Sequence, residues 1–122
     1  MAFPVTEDKI QAAEETLGRR LPDSLRERLL QNNGGEVIDD EGNDWILHPV
    51  RDDSDRKRLA RTANDIIRET ESAREWEDFP ENAIAIANDG TGDLIVLLPD
   101  DGAFYIWSHE DEPLIETTLE DA

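Results

Sequence analysis

Apolar residues recur at helical spacing in the first third of the chain and cluster in short runs between turns in the last third. Ile10, Ala13 and Leu17 fall three or four residues apart. Thr6 can cap that segment, with Glu7 and Asp8 in its first turn, where free backbone N–H groups favour acid. Gly18 supplies the positive φ that ends such a helix. Leu21-Pro22 opens a second segment in which Leu25 and Leu29 share a face beside Leu30, and Asn32-Asn33-Gly34-Gly35 stops it. The first 35 residues predict a helical hairpin whose one apolar side needs a sheet or another helix to cover it.

Strand patterns follow. Glu36-Val37-Ile38 and Trp45-Ile46-Leu47 flank an acidic turn around Gly42. Residues 53–70 predict one longer helix with Leu59, Ala63, Ile66, Ile67 and Thr70 along a face. Trp76, Phe79 and Pro80 mark the passage into three further strands, at 83–87, 94–98 and 103–107. Asp89-Gly90 and Asp101-Gly102 suit the turns between them, because Gly and to a lesser degree Asp accept positive φ. The expected fold is α+β: an N-terminal helical hairpin and a central helix packed on a mainly antiparallel sheet, as a single domain over residues 1–122.

Charge divides the chain in two. All 12 lysines and arginines lie at or before Arg74, and the 14 acids that follow meet no base except His109. Of the net charge of -19, the first 74 residues carry -5 (17 acids, 12 bases) and the last 48 carry -14. Because the acidic part is also the strand-rich part, the charge is expected on a folded face. Such a face repels phosphate backbones and anionic lipid and attracts a basic protein. The arginines of residues 51–74 could suggest a nucleic-acid stripe, but seven bases there are interleaved with six acids. Direct nucleic-acid and membrane binding are therefore not expected. Adaptation to high salt is the competing explanation of the charge, and it would spread acid evenly over the surface. With no basic and apolar leader, and no run approaching the roughly 18 residues that cross a bilayer, a cytoplasmic, monomeric protein is expected.

Searches for chemistry return little. There is no cysteine, hence no thiolate ligand or nucleophile. Asp39-Asp40-Glu41-Gly42-Asn43-Asp44 and Asp89-x-x-x-Asp93 hold oxygen donors near glycines but lack EF-hand spacing, so solvated turns are expected and no metal or cofactor is assigned. His48 precedes Pro49 at a strand end and reads as structural or simply exposed; His109, followed by Glu110, Asp111 and Glu112, has no marked nucleophile or pocket, and no catalytic residue is assigned. In the last strand Tyr105 and Trp107 share one face, Phe104 and Ile106 the other. Either both pairs are core, or one is an aromatic contact set in acid, the usual makeup of a protein-binding surface. Trp45 carries the same two readings.

Three groups of residues, in order, resemble the SMI1/KNR4 family of the SUKH superfamily over nearly the whole chain. The first is Glu14-Glu15-x-Leu17-Gly18-x-x-Leu21-Pro22-x-x-Leu25 with Asn33-Gly34-Gly35. The second is Ile84-x-Ile86-x-x-Asp89-Gly90-x-Gly92-Asp93 and the third Gly102-x-x-Tyr105-x-Trp107-x-His109-Glu110. The chain departs from the family in having Leu25 where an aromatic is frequent, and only Pro113-Leu114-Ile115 and Leu119 where a final apolar helix is frequent.

The resemblance implies an immunity protein that binds and neutralises a basic toxin, such as a nuclease or deaminase; the alternative is a non-catalytic regulatory or scaffold module of the same fold. It carries no catalytic set. Its markers Gly34, Gly35, Gly92, Asp93, Trp107 and His109 either hold the fold or touch the partner. Joined to the charge pattern, it suggests contact through Asp89, Asp93, Asp100 and Asp101 at hairpin tips, through Trp107 and His109 near the centre, and through Glu110, Asp111 and Glu112 at the rim.

Overall fold

The computed structural model describes residues 4–77, 79–98, 103–108 and 114–121. Helix α1 (Glu7–Leu17) and helix α2 (Asp23–Gln31) form the expected hairpin. Thr6 stands at the N-cap in extended conformation, but its hydroxyl turns to Asp8 and caps no backbone group. Gly18 closes α1 at φ 81°. The Glu14 carboxylate accepts from Leu21 N–H at 2.6 Å and, with Glu7, pairs with Arg26 of α2. These contacts fix the angle of the hairpin around a mostly buried guanidinium.

Strands β1 (Gly35–Ile38) and β2 (Asp44–Leu47) come next, then helices α3 (Arg56–Arg61) and α4 (Ile66–Ala73). The single helix expected over 53–70 is thus two. Asp65 accepts from Arg68 N–H at 3.0 Å as the N-cap of α4, and Ile66 N–H is drawn to Pro49 C=O at 2.7 Å. The Thr62 hydroxyl donates back to Arg58 C=O and accepts from Asp52 N–H, which ends α3. Leu59 and Ala63, placed on the expected buried face, are exposed. Local side-chain hydrogen bonds override a periodicity that runs through both helices.

The remaining strands are β3 (Ile84–Asn88), β4 (Leu94–Leu97), β5 (Phe104–Trp107), β6 (Ile115–Thr117) and β7 (Glu120–Asp121). All pairings are antiparallel, in the order β6-β5-β4-β3-β2-β1-β7. The two outermost strands are joined by Thr118 and Leu119 alone. From Thr117 to Glu120 the chain can reach about 10 Å, whereas the edges of a flat seven-stranded sheet stand about 29 Å apart at ~4.8 Å per step. The sheet must therefore curl until its edges approach one another. The Thr117 hydroxyl donates to the Asp40 carboxylate at 3.0 Å, tying β6 to the β1–β2 turn. The C-terminal segment supplies the two edge strands of the sheet.

Strand alternation gives the sheet two faces. On one, Val37, Trp45, Leu47, Ile95, Leu97 and Phe104 pack with Ile10 and Ala13 of α1 and Leu21, Leu25 and Leu29. On the other, Ala85, Val96 and Trp107 pack with Ala73 and Phe79. An irregular step between Ala85 and Ala87 turns both Ile86 and Ala87 toward the first face. Buried side chains satisfy the backbone there: Ala85 N–H donates to the Thr70 hydroxyl at 2.9 Å, and His48 Nδ1 meets Ala85 C=O at 2.9 Å.

Candidate partner-binding face

The second face of the sheet is covered by the C-terminal end of α4 and the turn that follows it. From the end of α4, Trp76 N–H bonds to Ala73 C=O and Phe79 N–H to Trp76 C=O, so the chain winds tightly over β5. Phe79 stands edge-on to Trp107 at 5.4 Å between ring centres, and Trp76 meets Trp107 at 6.2 Å and 65°. Trp107, expected near the centre of contact, is 3% exposed; Trp76 above it is 50% exposed. The Trp107 ring thus packs beneath Trp76, which carries the exposed aromatic surface here. The two pairs of the last strand divide likewise, with Phe104 and Trp107 buried and Tyr105 and Ile106 half-buried.

Trp76 lines a wide-open groove of about 550 Å³ together with Arg74, Glu75, Glu77, Phe79, Pro80, Glu81 and Asn82. Glu81 and Asn82 belong to a turn in which Ala83 N–H bonds to Pro80 C=O at 3.2 Å and Asn82 takes φ 62°. Asn tolerates that left-handed conformation better than most side chains. Across the same face, Tyr105 pairs with Glu116, its hydroxyl donating to that carboxylate at 3.4 Å. The described part of this face thus joins an exposed indole to four exposed glutamates: Glu75, Glu77, Glu81 and Glu116.

The other expected contact residues fall as follows. Asp89 and Asp93 are half-buried in the β3–β4 turn. The Asp89 carboxylate accepts from Thr91 N–H and hydroxyl at 2.9 and 2.7 Å, a local bond that shapes the turn. The register Leu94↔Trp107 sets Asp93 and Ser108 at one end of the meander; Leu97↔Phe104 sets Leu98 and Ala103 at the other. Asp100, Asp101, His109, Glu110, Asp111 and Glu112 lie outside the described residues.

Two other depressions, each of about 360 Å³, lie elsewhere on the surface. One is lined by Asn33, Gly34, Pro49, Arg58, Arg61 and Asn64 and presents guanidinium groups. The other, between α2 and β7, sets Leu25, Phe104 and Leu119 beside Arg28, Glu27 and Glu120.

The remaining candidates for chemistry are committed to structure. The Asp39 carboxylate is buried and accepts from Glu41 N–H, Asn43 N–H, the Asn43 amide and the Trp45 indole, all between 2.9 and 3.2 Å. Burial alone would raise its pKa, but the Trp45 and Asn43 bonds outweigh burial and hold it below the usual aspartate value. His48 is buried, and desolvation lowers its pKa; Nε2 faces the Asn88 amide at 3.0 Å, as suits a neutral ring with its proton on Nδ1. Among the described residues no three His, Asp or Glu side chains converge as metal ligands, and no helix is long and apolar enough to cross a membrane.

A curled antiparallel sheet with the helical hairpin on one face, and a second face only partly covered by the end of α4 and its following turn, defines a small α+β domain suited to binding protein. The chain belongs to the SMI1 / KNR4 family (SUKH-1), whose model matches residues 4–119. That family is known for immunity- and antitoxin-like domains and is generally non-catalytic. No curated protein sequence matches the chain. Several family markers have visible structural work. The Asn33 amide donates to Val50 C=O and accepts from Val50 N–H, both at 2.7 Å. Gly34 and Gly35 follow at φ 117° and 84°, turning the chain from α2 into β1.

Proposed function

We propose that this chain is a non-catalytic immunity protein that binds and neutralises a cognate basic toxin, such as a nuclease or deaminase, in the cytoplasm. Membership of the SMI1 / KNR4 family carries the reading. The acidic segregation after Arg74 and the half-exposed Trp76 support it, because a negative face steers a basic partner toward an aromatic contact. The contact set extends from the Trp76 turn toward Asp89, Asp93 and Ser108, with Trp107 as its support. Asp100, Asp101, Glu110, Asp111 and Glu112 complete the acid that attracts the toxin, and His109 joins them in the contact set. Mechanistically, the acidic meander takes the place of the phosphate charge that a nucleic-acid-directed toxin expects, and so blocks its substrate groove.

The test is co-expression. Cells producing the toxic product encoded beside this chain should survive when the chain is present, and the two proteins should copurify with an affinity that falls as salt rises. Copurification with a partner that is not toxic would favour the regulatory or scaffold alternative. Survival unchanged by the chain would sink the immunity reading.

A further inference from the structure

The Trp76 groove is more specific than an acidic patch. Acid alone attracts any cation and discriminates little. Here an indole is held in place from beneath by Trp107, itself braced by Phe79. The indole is half-exposed in a shallow, open groove of about 550 Å³, wide enough to admit one partner side chain along the ring. The exposed Glu75 and Glu77 flank the ring in sequence, and Glu81 approaches from the Pro80–Ala83 turn. Three carboxylates against the single guanidinium of Arg74 leave the lining negative.

Aromatic floor and carboxylate rim together match one side-chain chemistry. A guanidinium is planar, weakly hydrated and permanently charged, so it can stack on an indole while its N–H fork meets carboxylates. An ammonium can make the point-charge contact but not the planar stack. An apolar residue would leave the glutamates without a partner. Resting on the proposed immunity role, we propose that this groove receives an exposed arginine side chain of the basic partner, with Trp76 as the stacking platform and Glu75, Glu77 and Glu81 as the carboxylate rim.

Titration of the full chain with acetyl-Gly-Arg-Gly-amide tests this, with the neutral citrulline peptide of the same shape as control. The readout is the indole N–H resonances of Trp45, Trp76 and Trp107, assigned with single Trp→Phe variants. The arginine peptide should move the Trp76 resonance and the backbone amides of residues 75–82 with a millimolar Kd, and the citrulline peptide should leave them still. The Glu75→Gln, Glu77→Gln, Glu81→Gln variant, which keeps the ring, should weaken that response at least fivefold. Equal responses to both peptides, or shifts no larger around Trp76 than in the Asp89–Asp93 turn, would overturn the proposal.

The copurified partner separates this inference from the reading beneath it. Trp76→Ala and the triple Gln variant should each lose at least tenfold in partner affinity, with the Trp45 resonance in place as evidence of folding. Unchanged affinity in both would overturn the arginine groove and leave the immunity role standing. Absence of protection by the unaltered chain would remove the immunity role, and the groove's selectivity would still be decided by the peptides.

Discussion

Acid and tryptophan meet twice in this molecule, with opposite results. At the β1–β2 turn, Asp39 and Trp45 are both buried and bonded to each other, the indole donating to the carboxylate at 3.0 Å. At the turn after α4, Trp76 is half-exposed, and Glu75, Glu77 and Glu81 point into solvent around it. The residue types are the same. What differs is whether the acid has donors of its own. Asp39 is surrounded by two backbone N–H groups, an amide and an indole, and folding consumes all its acceptor capacity. The glutamates have no such set among the described bonds, so their charge remains available to another molecule. In a chain with 31 acids, this distinction separates acids bonded within the fold from acids left in solvent better than position in the sequence does.

The comparison can be broken most directly at Asp39. Asp39→Ala should destabilise the fold by about 3 kcal/mol, because the buried Trp45 indole loses its acceptor and the turn loses its organising carboxylate. Asp39→Asn, which keeps an acceptor oxygen but loses the charge, should cost about 2 kcal/mol. Urea denaturation midpoints measure both. Effects below about 0.5 kcal/mol would mean that Asp39 is no more committed than the surface glutamates.

Acid titration sharpens the same contrast through a different buried group. His48 has a folded pKa below its unfolded value, owing first to desolvation, so the folded state prefers the neutral ring. Its contribution is fully present above the unfolded value of about 6.5 and is lost as pH falls below it. Asp39, also lowered, contributes above the unfolded aspartate value of about 3.9 and loses that contribution only in stronger acid. Denaturation midpoints should therefore fall between pH 7.5 and 5.5, and fall again near pH 4. The first step should flatten in His48→Gln, the second in Asp39→Asn.

Much of the fold was legible from local chemistry. The helical hairpin was marked by apolar spacing and glycines, and the β3–β4–β5 meander by Asp-Gly pairs between short apolar runs. The break between α3 and α4 was hidden because one 3.6-residue period runs across it; the signal was Asp65, an N-cap residue standing three before Arg68. β6 carries only Ile115 beside Glu116 and Thr117, and β7 has no apolar residue, too little pattern to announce strands whose pairing is set by sheet closure. At the candidate site, alternation placed Trp107 and Tyr105 on one face correctly, but it could not say what lay above them. Trp76 belongs to no period and was legible only as a boundary. Its role depends on a ring contact made 31 positions away along the chain, from Trp76 to Trp107.

The triple exchange Glu75→Gln, Glu77→Gln, Glu81→Gln should change stability by less than about 0.5 kcal/mol, because exposed charges without close partners contribute little to folding. Its effect should appear in binding and in the salt dependence of binding.

Trp76→Ala should have the smallest structural consequence relative to the size of the side chain removed. A buried tryptophan truncated to alanine costs about 3–5 kcal/mol. Trp76 keeps half its surface in water, and its one described ring contact, to Trp107, is worth about 0.5–1.5 kcal/mol beyond the area it covers. The expected loss is about 1 kcal/mol, read as a shift in urea midpoint with the slope unchanged. Trp107→Ala, by contrast, removes the ring against which both Phe79 and Trp76 pack and should cost about 4 kcal/mol. If the two variants were equally destabilising, Trp76 would be a core residue with an accidental exposed edge. A small loss of stability combined with a large loss of partner affinity is the signature that separates a contact residue from its support.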